Sequence, residues 1–402
     1  MKLGLTRGDK MRVMVLGAGL VGGAIVKDLA TDADLTITAV DFDQRNLDKL
    51  KGESNVKAIK ADLSDSSTVS KLVKDYDLVV GGLPGHMGFR TLKTVIESGR
   101  NIVDIAFFPE DAFELDRLVK KKGVTAVIDC GVAPGCSNLI LGHLTTVLDE
   151  TERFECYVGG LPQEPEWPYE YKAPFSPSDV IEEYTRPARL VENGKVVIRP
   201  ALSDVELIDF PKVGLLEAFN TNGLRTLIQT MSAGQLTQMR SKFGKIPHMK
   251  EKTMRFPGHA EKMRMLRETG FFDKEPVSLD GASVRPLDLT SRLLFPMWKL
   301  NEGEEDFTVM RIKVEGKKGG KRKRHTFDLL DTYDRKTNTS SMARTTGYTC
   351  STVVRLLAEK KFGRVGICPL EFIGQDHECY RYVIEGLQKK GISFKETVTD
   401  LD

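Results

Sequence analysis

A glycine-spaced turn, Gly17-Ala18-Gly19-Leu20-Val21-Gly22, is set between the apolar run MRVMVL and the helical stretch AIVKDLA. In a G-x-G-x-x-G pattern the first glycine permits a tight turn. The second lets the main chain approach a pyrophosphate, and the third lets strand and helix pack closely. The helix start then offers free N–H groups and the positive end of its dipole to phosphate. Gly17, Gly19, Leu20, Val21 and Gly22 are therefore predicted to bind a dinucleotide.

A second signal lies about 20 residues further on, where such sites place an acidic residue: Asp41 ends the next apolar run, LTITAVD. A carboxylate there accepts hydrogen bonds from the adenosine ribose and repels a 2′-phosphate, so the expected cofactor is NAD. Arg45 argues the other way, because a nearby arginine accommodates that phosphate. Asp62 and Leu63 follow the third apolar run, where the loop passes the adenine; Asp62 alternatively caps the next helix. Gly82, Leu83 and Pro84 follow the fourth run and are expected beside the nicotinamide half.

From Met11 to Cys130, short apolar runs alternate with amphipathic stretches, the signature of a parallel sheet covered on both faces. At 402 residues the chain exceeds the ~250–300 at which a single core stops growing, so a second domain is expected. The predicted fold class is α/β, a Rossmann parallel-sheet nucleotide domain with a mixed α+β catalytic domain. The boundaries are a leader over 1–10, the nucleotide domain over 11–133, the catalytic domain over 134–340, and C-terminal helices over 341–402 that return to the nucleotide domain. The second domain is marked by strand-like runs such as FECYVGG, KVVIRP, VELIDF and FTVMRIKV, and by an Asn193-Gly194 hairpin turn.

Composition narrows the function classes. The 59 basic and 57 acidic side chains nearly cancel, so charge gives no reason to expect nucleic acid as a partner. The basic cluster Lys317 to Arg324 lies between two strand-like runs and reads as a solvated hairpin turn. No apolar run suits a membrane span, and the first ten residues lack the apolar region of a secretory signal, so a cytoplasmic location is expected. Six cysteines without a C-x-x-C pair suggest no metal site or disulfide framework.

Reacting groups should come from loops beyond the carboxyl ends of the strands and from the second domain. In those loops stand GVAPG (131–135), YVGGLP (157–162), EYKAPFSP (170–177), AFNTNGLRTL (218–227) and RFPGHAEK (255–262). With them, from Met11 to past Gly386, the chain resembles the saccharopine dehydrogenase and reductase family, and within it the lysine 6-dehydrogenase branch. The resemblance implies a catalytic domain on an open mixed sheet and a homodimer or homotetramer. It also implies oxidation of the ε-amine carbon of L-lysine by NAD, releasing ammonia and a semialdehyde that cyclises on its own α-amine. In the saccharopine-forming reductases an acidic residue usually precedes Pro-Gly in the first motif, and a cysteine precedes Gly-Gly-Leu-Pro in the second. Here those positions are Ala133 and Val158, which favours an enzyme acting on a free amine. The alternatives are a saccharopine- or carboxynorspermidine-type reductase and a non-catalytic NAD-binding regulator.

An ammonium-bearing carbon is a poor hydride donor, so a base must first take a proton from the amine. The candidates are His259, Glu170, Tyr171 and His86, the imidazoles because their reference pKa of about 6.5 lies near working pH. Arg225 is the choice for the substrate α-carboxylate, since a guanidinium donates two parallel hydrogen bonds, and the resemblance places a substrate-contacting arginine in this loop. Asn222, Thr221 and Lys172 are the remaining substrate-binding candidates. Trp167 and Tyr169 are expected to form the small core of their own loop.

Overall fold

The computed structural model describes residues 10–173, 175–231, 245–301 and 303–401. Residues 1–9 of the expected leader therefore lie outside the described residues. The chain divides into two compact units, one of residues up to Leu139 together with Ala343–Gly391, the other of Ile140–Met342 with Ile392–Asp402.

In the first unit the apolar runs become strands β1 (Met11–Leu16), β2 (Leu35–Asp41), β3 (Val56–Lys60), β4 (Leu78–Gly81), β5 (Asn101–Asp104) and β6 (Thr125–Ile128). In the second unit the strands are β7 (Glu150–Pro162), β8 (Ala188–Glu192), β9 (Lys195–Arg199), β10 (Glu206–Phe210), β11 (Gly214–Asn220), β12 (His248–Arg255), β13 (Val277–Leu279), β14 (Ala282–Val284), β15 (Asp306–Lys318) and β16 (Lys321–Thr332). The chain closes with β17 (Gly366–Pro369) in the first unit and β18 (Lys395–Asp400) in the second.

The first sheet runs β17-β6-β5-β4-β1-β2-β3, and all its pairings are parallel. A parallel sheet with helices on both faces must bury its central strands, and Val13, Met14, Val15 and Leu16 of β1 have no exposed surface. Strand order reverses beside β1, which leaves a crevice outside the carboxyl ends of β1 and β4. The returning segment is tied down by charge as well as by β17. Asp28 accepts from Ser351 Oγ at 2.5 Å and Arg355 Nη1 at 2.6 Å, and also pairs with Lys390. Burial pushes the Asp28 pKa up, but the two cations outweigh it and hold the carboxyl below its usual range.

The second unit is built on a mixed sheet of nine strands among the described residues. Its main path is β10-β11-β12-β7-β15-β16-β18, with the β8–β9 hairpin attached to β12. Long neighbours β7 and β15 pair antiparallel from Asp306↔Pro162 to Lys317↔Glu150. The expected hairpin turn at Asn193-Gly194 joins β8 to β9, with both residues at positive φ, 50° and 75°. The basic cluster is the β15–β16 turn, with Lys318 opposite Lys321 around Gly319-Gly320. Five of its cations have acidic partners: Lys317 with Glu150, Lys318 with Asp149, Arg322 with Glu152, Lys323 with Asp400 and Arg324 with Glu315. The cluster therefore presents little unbalanced positive charge. No described helix is long and apolar enough to cross a membrane, and all six cysteines are buried.

Candidate active site

The glycine-spaced turn opens where β1 ends, and its geometry explains its composition. Gly17 has φ 93°, a left-handed conformation costly for any residue with a side chain. A Cβ on Gly17 would lie 2.5 Å from the Gly82 carbonyl, and one on Gly22 would lie 2.0 Å from the Gly17 carbonyl. Above Gly19, by contrast, a Cβ would meet nothing within 4 Å, so the space over that residue is open to a ligand. The helix Leu20–Leu29 begins there with no side-chain cap and no acidic residue in its first turn. Unopposed N–H groups above an uncovered glycine fit a dinucleotide pyrophosphate. Leu20 is 51% exposed at this mouth.

Asp41 lies behind the turn, and its carboxylate fastens the turn to β2. One oxygen accepts from Ala18 N at 2.7 Å and from Asn46 Nδ2 at 3.3 Å, and the other accepts from Asp43 N at 2.8 Å. A carboxylate has about four acceptor directions, so a ribose hydroxyl can still be met. Arg45 is not free: its guanidinium is bidentate to Asp43, at 2.7–3.1 Å. Asp62 is exposed, and the Ser64 side chain together with Ser64 N, which donates to it at 2.8 Å, holds its carboxyl below the usual range. The cap of the next helix is Asp65, not Asp62. Leu63 is buried. Gly82 donates to the Leu16 carbonyl at 2.8 Å, beside the turn, while Pro84 starts the helix Gly85–Glu97 and leaves His86 exposed in its first turn. Sequence reasoning overlooked Asp104, a buried carboxylate at the end of β5 whose Oδ2 would lie 2.0 Å from a Cβ on Gly81. It explains why β4 ends in glycine.

In the second unit the structure gathers three of the motifs, through Tyr171, Phe219 and His259, around one aromatic cluster. Tyr169, Tyr171 and Tyr184 each meet Trp298 edge-on, with ring centroids 6.0, 5.6 and 6.2 Å away. His259 begins the helix His259–Glu268 and is 1% exposed. Its Nδ1 faces the Tyr169 carbonyl at 2.9 Å and its Nε2 faces the Tyr184 hydroxyl at 2.9 Å. A carbonyl can only accept, so Nδ1 carries the proton and Nε2 accepts from Tyr184. Burial, aided by the charge of Arg255, lowers the His259 pKa from 6.5 to about 3, so the ring is neutral at physiological pH. Tyr171 is likewise buried, and desolvation pushes its hydroxyl well above the usual range.

Arg255 is the hub of this cluster, and sequence reasoning missed it. Its guanidinium is 2.8 Å from Glu183 and lies over the Tyr171 ring, 4.5 Å from the centroid. The partner Glu183 is 72 residues away in the chain, which no local pattern reveals. Glu170 and Lys172, on the loop above, are each ion-paired: Glu170 with Lys262, and Lys172 with Glu166 at 3.1 Å and Glu304 at 3.6 Å. Glu170 has φ 47°. Trp167 departs from expectation. It is 85% exposed, because the inward positions of this loop are filled by Tyr169 and Tyr171 against Trp298.

The Arg225 loop follows β11 in the same unit. Arg225 is 7% exposed at φ 42°, directly before the helix Thr226–Met231. Thr221 Oγ1 accepts from Thr253 at 3.0 Å and Asn222 Oδ1 accepts from Arg189 Nε at 2.9 Å. Beneath them lies Glu251, so close that a Cβ on Gly223 would be 1.5 Å from its carboxylate. Arg225, Asn222 and Thr221 thus share one loop, packed on a buried carboxylate.

Two family models match the chain. Residues 13–127 match the saccharopine dehydrogenase NADP binding domain and residues 131–392 match the saccharopine dehydrogenase C-terminal domain. The chain is 23% identical to the saccharopine dehydrogenase [NADP(+), L-glutamate-forming] of Schizosaccharomyces pombe, over 96% of this chain and 99% of that protein. It is 28% identical to the mitochondrial alpha-aminoadipic semialdehyde synthase of Mus musculus over 48% of this chain, a match that spans only 22% of the mouse protein. With the Saccharomyces cerevisiae saccharopine dehydrogenase (L-Glu forming), determined in its apo form, it shares a fold at TM-score 0.77 and 18% identity, over 97% of this chain and all of that one. Matched along its length by both domain models of one family, the chain belongs to the saccharopine dehydrogenase family.

Proposed function

We propose that this chain is an NAD-dependent amine dehydrogenase that oxidatively deaminates L-lysine at its ε-amine carbon. Oxidation leaves an imine that water hydrolyses, so the products are NADH, a proton, ammonia and 2-aminoadipate 6-semialdehyde, which closes on its own α-amine, with loss of water, to a piperideine carboxylate. The observation that carries the reading is Ala133 in the GVAPG loop, where the resemblance leads one to expect an acidic residue in enzymes that join two substrates. Val158 before Gly-Gly-Leu-Pro supports it. NAD is favoured over NADP because Asp41 holds a carboxylate at the ribose position and Arg45 is engaged by Asp43.

When bound, the nicotinamide supplies the hydride acceptor. The protein must deprotonate the ammonium, hold its carbon within about 3–3.5 Å of the ring, and bind the far end of the substrate. Arg225 takes the α-carboxylate, with Asn222 and Thr221 as neutral partners and Lys172 as a further substrate-binding cation. The proton acceptor is His86 or Glu170, whose side chains reach water. His259, neutral and bonded at both nitrogens, is given a positioning role: it holds the Tyr169 carbonyl and, through it, the main chain that carries Glu170 and Tyr171.

The full-length likeness to the Schizosaccharomyces pombe enzyme favours a second reading, oxidation or formation of a secondary amine of the saccharopine type. A carboxynorspermidine-type reaction belongs with it, since the carboxynorspermidine synthase of Vibrio cholerae is 20% identical over 77% of this chain. Purified protein should be mixed with NAD or NADP and, in turn, L-lysine, saccharopine, diamines and other basic amino acids, while reduced nicotinamide is followed by its near-ultraviolet absorbance. Turnover with lysine and NAD supports the first reading. Turnover with saccharopine and none with lysine would replace it by the second.

A further inference from the structure

Phe42 is the most exposed phenylalanine among the described residues, at 72%, and it directly follows Asp41 at the carboxyl end of β2. A single exposed apolar residue is ordinary on a protein surface. This one is held where it is. Its two neighbours are locked together, since Asp43 N donates to Asp41 Oδ1 at 2.8 Å and Asp41 Oδ2 in turn accepts from Ala18 N of the glycine turn at 2.7 Å. Asp43 then caps the helix Gln44–Asp48. The main chain of Phe42 is thus fixed on both sides while its ring is left uncovered, beside the carboxylate that marks the ribose. Leu20, 51% exposed, stands at the start of the helix that follows the same turn.

We propose that the Phe42 ring is the platform on which the adenine of the dinucleotide stacks. The inference rests on the reading of this crevice as a dinucleotide site. A purine has an apolar π-face that an aromatic ring can cover, and such stacking is insensitive to the fate of the 2′-hydroxyl. Phe42 therefore contributes affinity for the adenosine half and takes no side between NAD and NADP. It follows β2, whereas the loop expected to meet the nicotinamide follows β4, on the opposite side of β1, so its contribution is confined to ligands that carry an adenine.

The test uses the full chain and fluorescence titration with NADH, NADPH and reduced nicotinamide mononucleotide, which lacks the adenosine. Phe42→Ala is expected to weaken NADH binding on the order of tenfold, to leave reduced nicotinamide mononucleotide unchanged, and to keep the wild-type melting temperature. Phe42→Trp is expected to restore the affinity, and Leu215→Ala, a truncation of an exposed side chain in the other unit, to change nothing. Phe42→Ala binding NADH within twofold of wild type would overturn the proposal. So would a loss of affinity for NADH and the mononucleotide by the same factor, which marks a disturbed crevice. Wild-type protein that binds neither NADH nor NADPH would overturn the dinucleotide reading itself.

Discussion

Exchanging His259 for glutamine should remove a specific pH dependence from the stability of the second unit. In the folded protein His259 titrates near pH 3, against 6.5 for an exposed ring. Below about pH 6.5 the unfolded chain takes up a proton that the native state refuses, so native stability falls as the pH falls and goes on falling until the pH reaches the folded value. Each pH unit in that window costs about 1.4 kcal/mol, and the full gap amounts to a few kcal/mol, on the order of 3–5. The ring is 1% exposed, so solvent screening does not reduce this figure much. The glutamine amide in His259→Gln would keep a donor for the Tyr169 carbonyl and an acceptor for Tyr184 but would not titrate. The chain has two tryptophans, and Trp167 is the exposed one. In a Trp167→Phe background the fluorescence of buried Trp298 reports this cluster alone. Urea unfolding between pH 7.5 and 4.5 should show the His259 protein losing roughly 1.4 kcal/mol more per pH unit than His259→Gln below pH 6. Parallel curves for the two proteins would refute a buried, neutral His259.

Other perturbations follow from the same geometry. Gly22→Ala should abolish NADH binding in a titration while the first unit stays folded by circular dichroism, because a Cβ would lie 2.0 Å from the Gly17 carbonyl. Asp43→Asn should improve NADPH binding relative to NADH by several-fold, since it frees Arg45 and keeps a competent helix cap. Asp28→Ala should lower unfolding free energy by about 2–3 kcal/mol, because partly buried Lys390 loses its carboxylate while Arg355 keeps Asp32. Arg225→Lys should raise KM for the amino acid at least tenfold with a smaller change in kcat, as expected when two parallel hydrogen bonds to a carboxylate become one.

The nucleotide half was legible because its signals are local. Strand, turn, helix and acidic residue fall within one stretch of chain from Met11 to Asp41, and β1 to β6 each appear as an apolar run. Strand β17 escaped notice: Gly-Ile-Cys-Pro is short and punctuated by glycine and proline, and its partner β6 lies far back in the sequence. In the second unit the Asn193-Gly194 turn was readable for the same local reason, whereas β11, GLLEAFN, has no clear alternation. His259 shows the limit most plainly. Its reference pKa suggests a base, but its character is set by Tyr184, 75 residues away, by the Tyr169 carbonyl and by burial. Such partners meet only in the folded chain.

The proposed reaction moves a hydride from carbon 6 of lysine to the nicotinamide of a dinucleotide whose pyrophosphate rests on the glycine turn. L-lysine carrying two deuterium atoms at carbon 6, incubated with the protein and NAD, tests it by mass spectrometry of both products. The reduced cofactor should gain one deuterium and the cyclised product should retain the other. Unlabelled NADH, or a product that keeps both deuterium atoms, would contradict it.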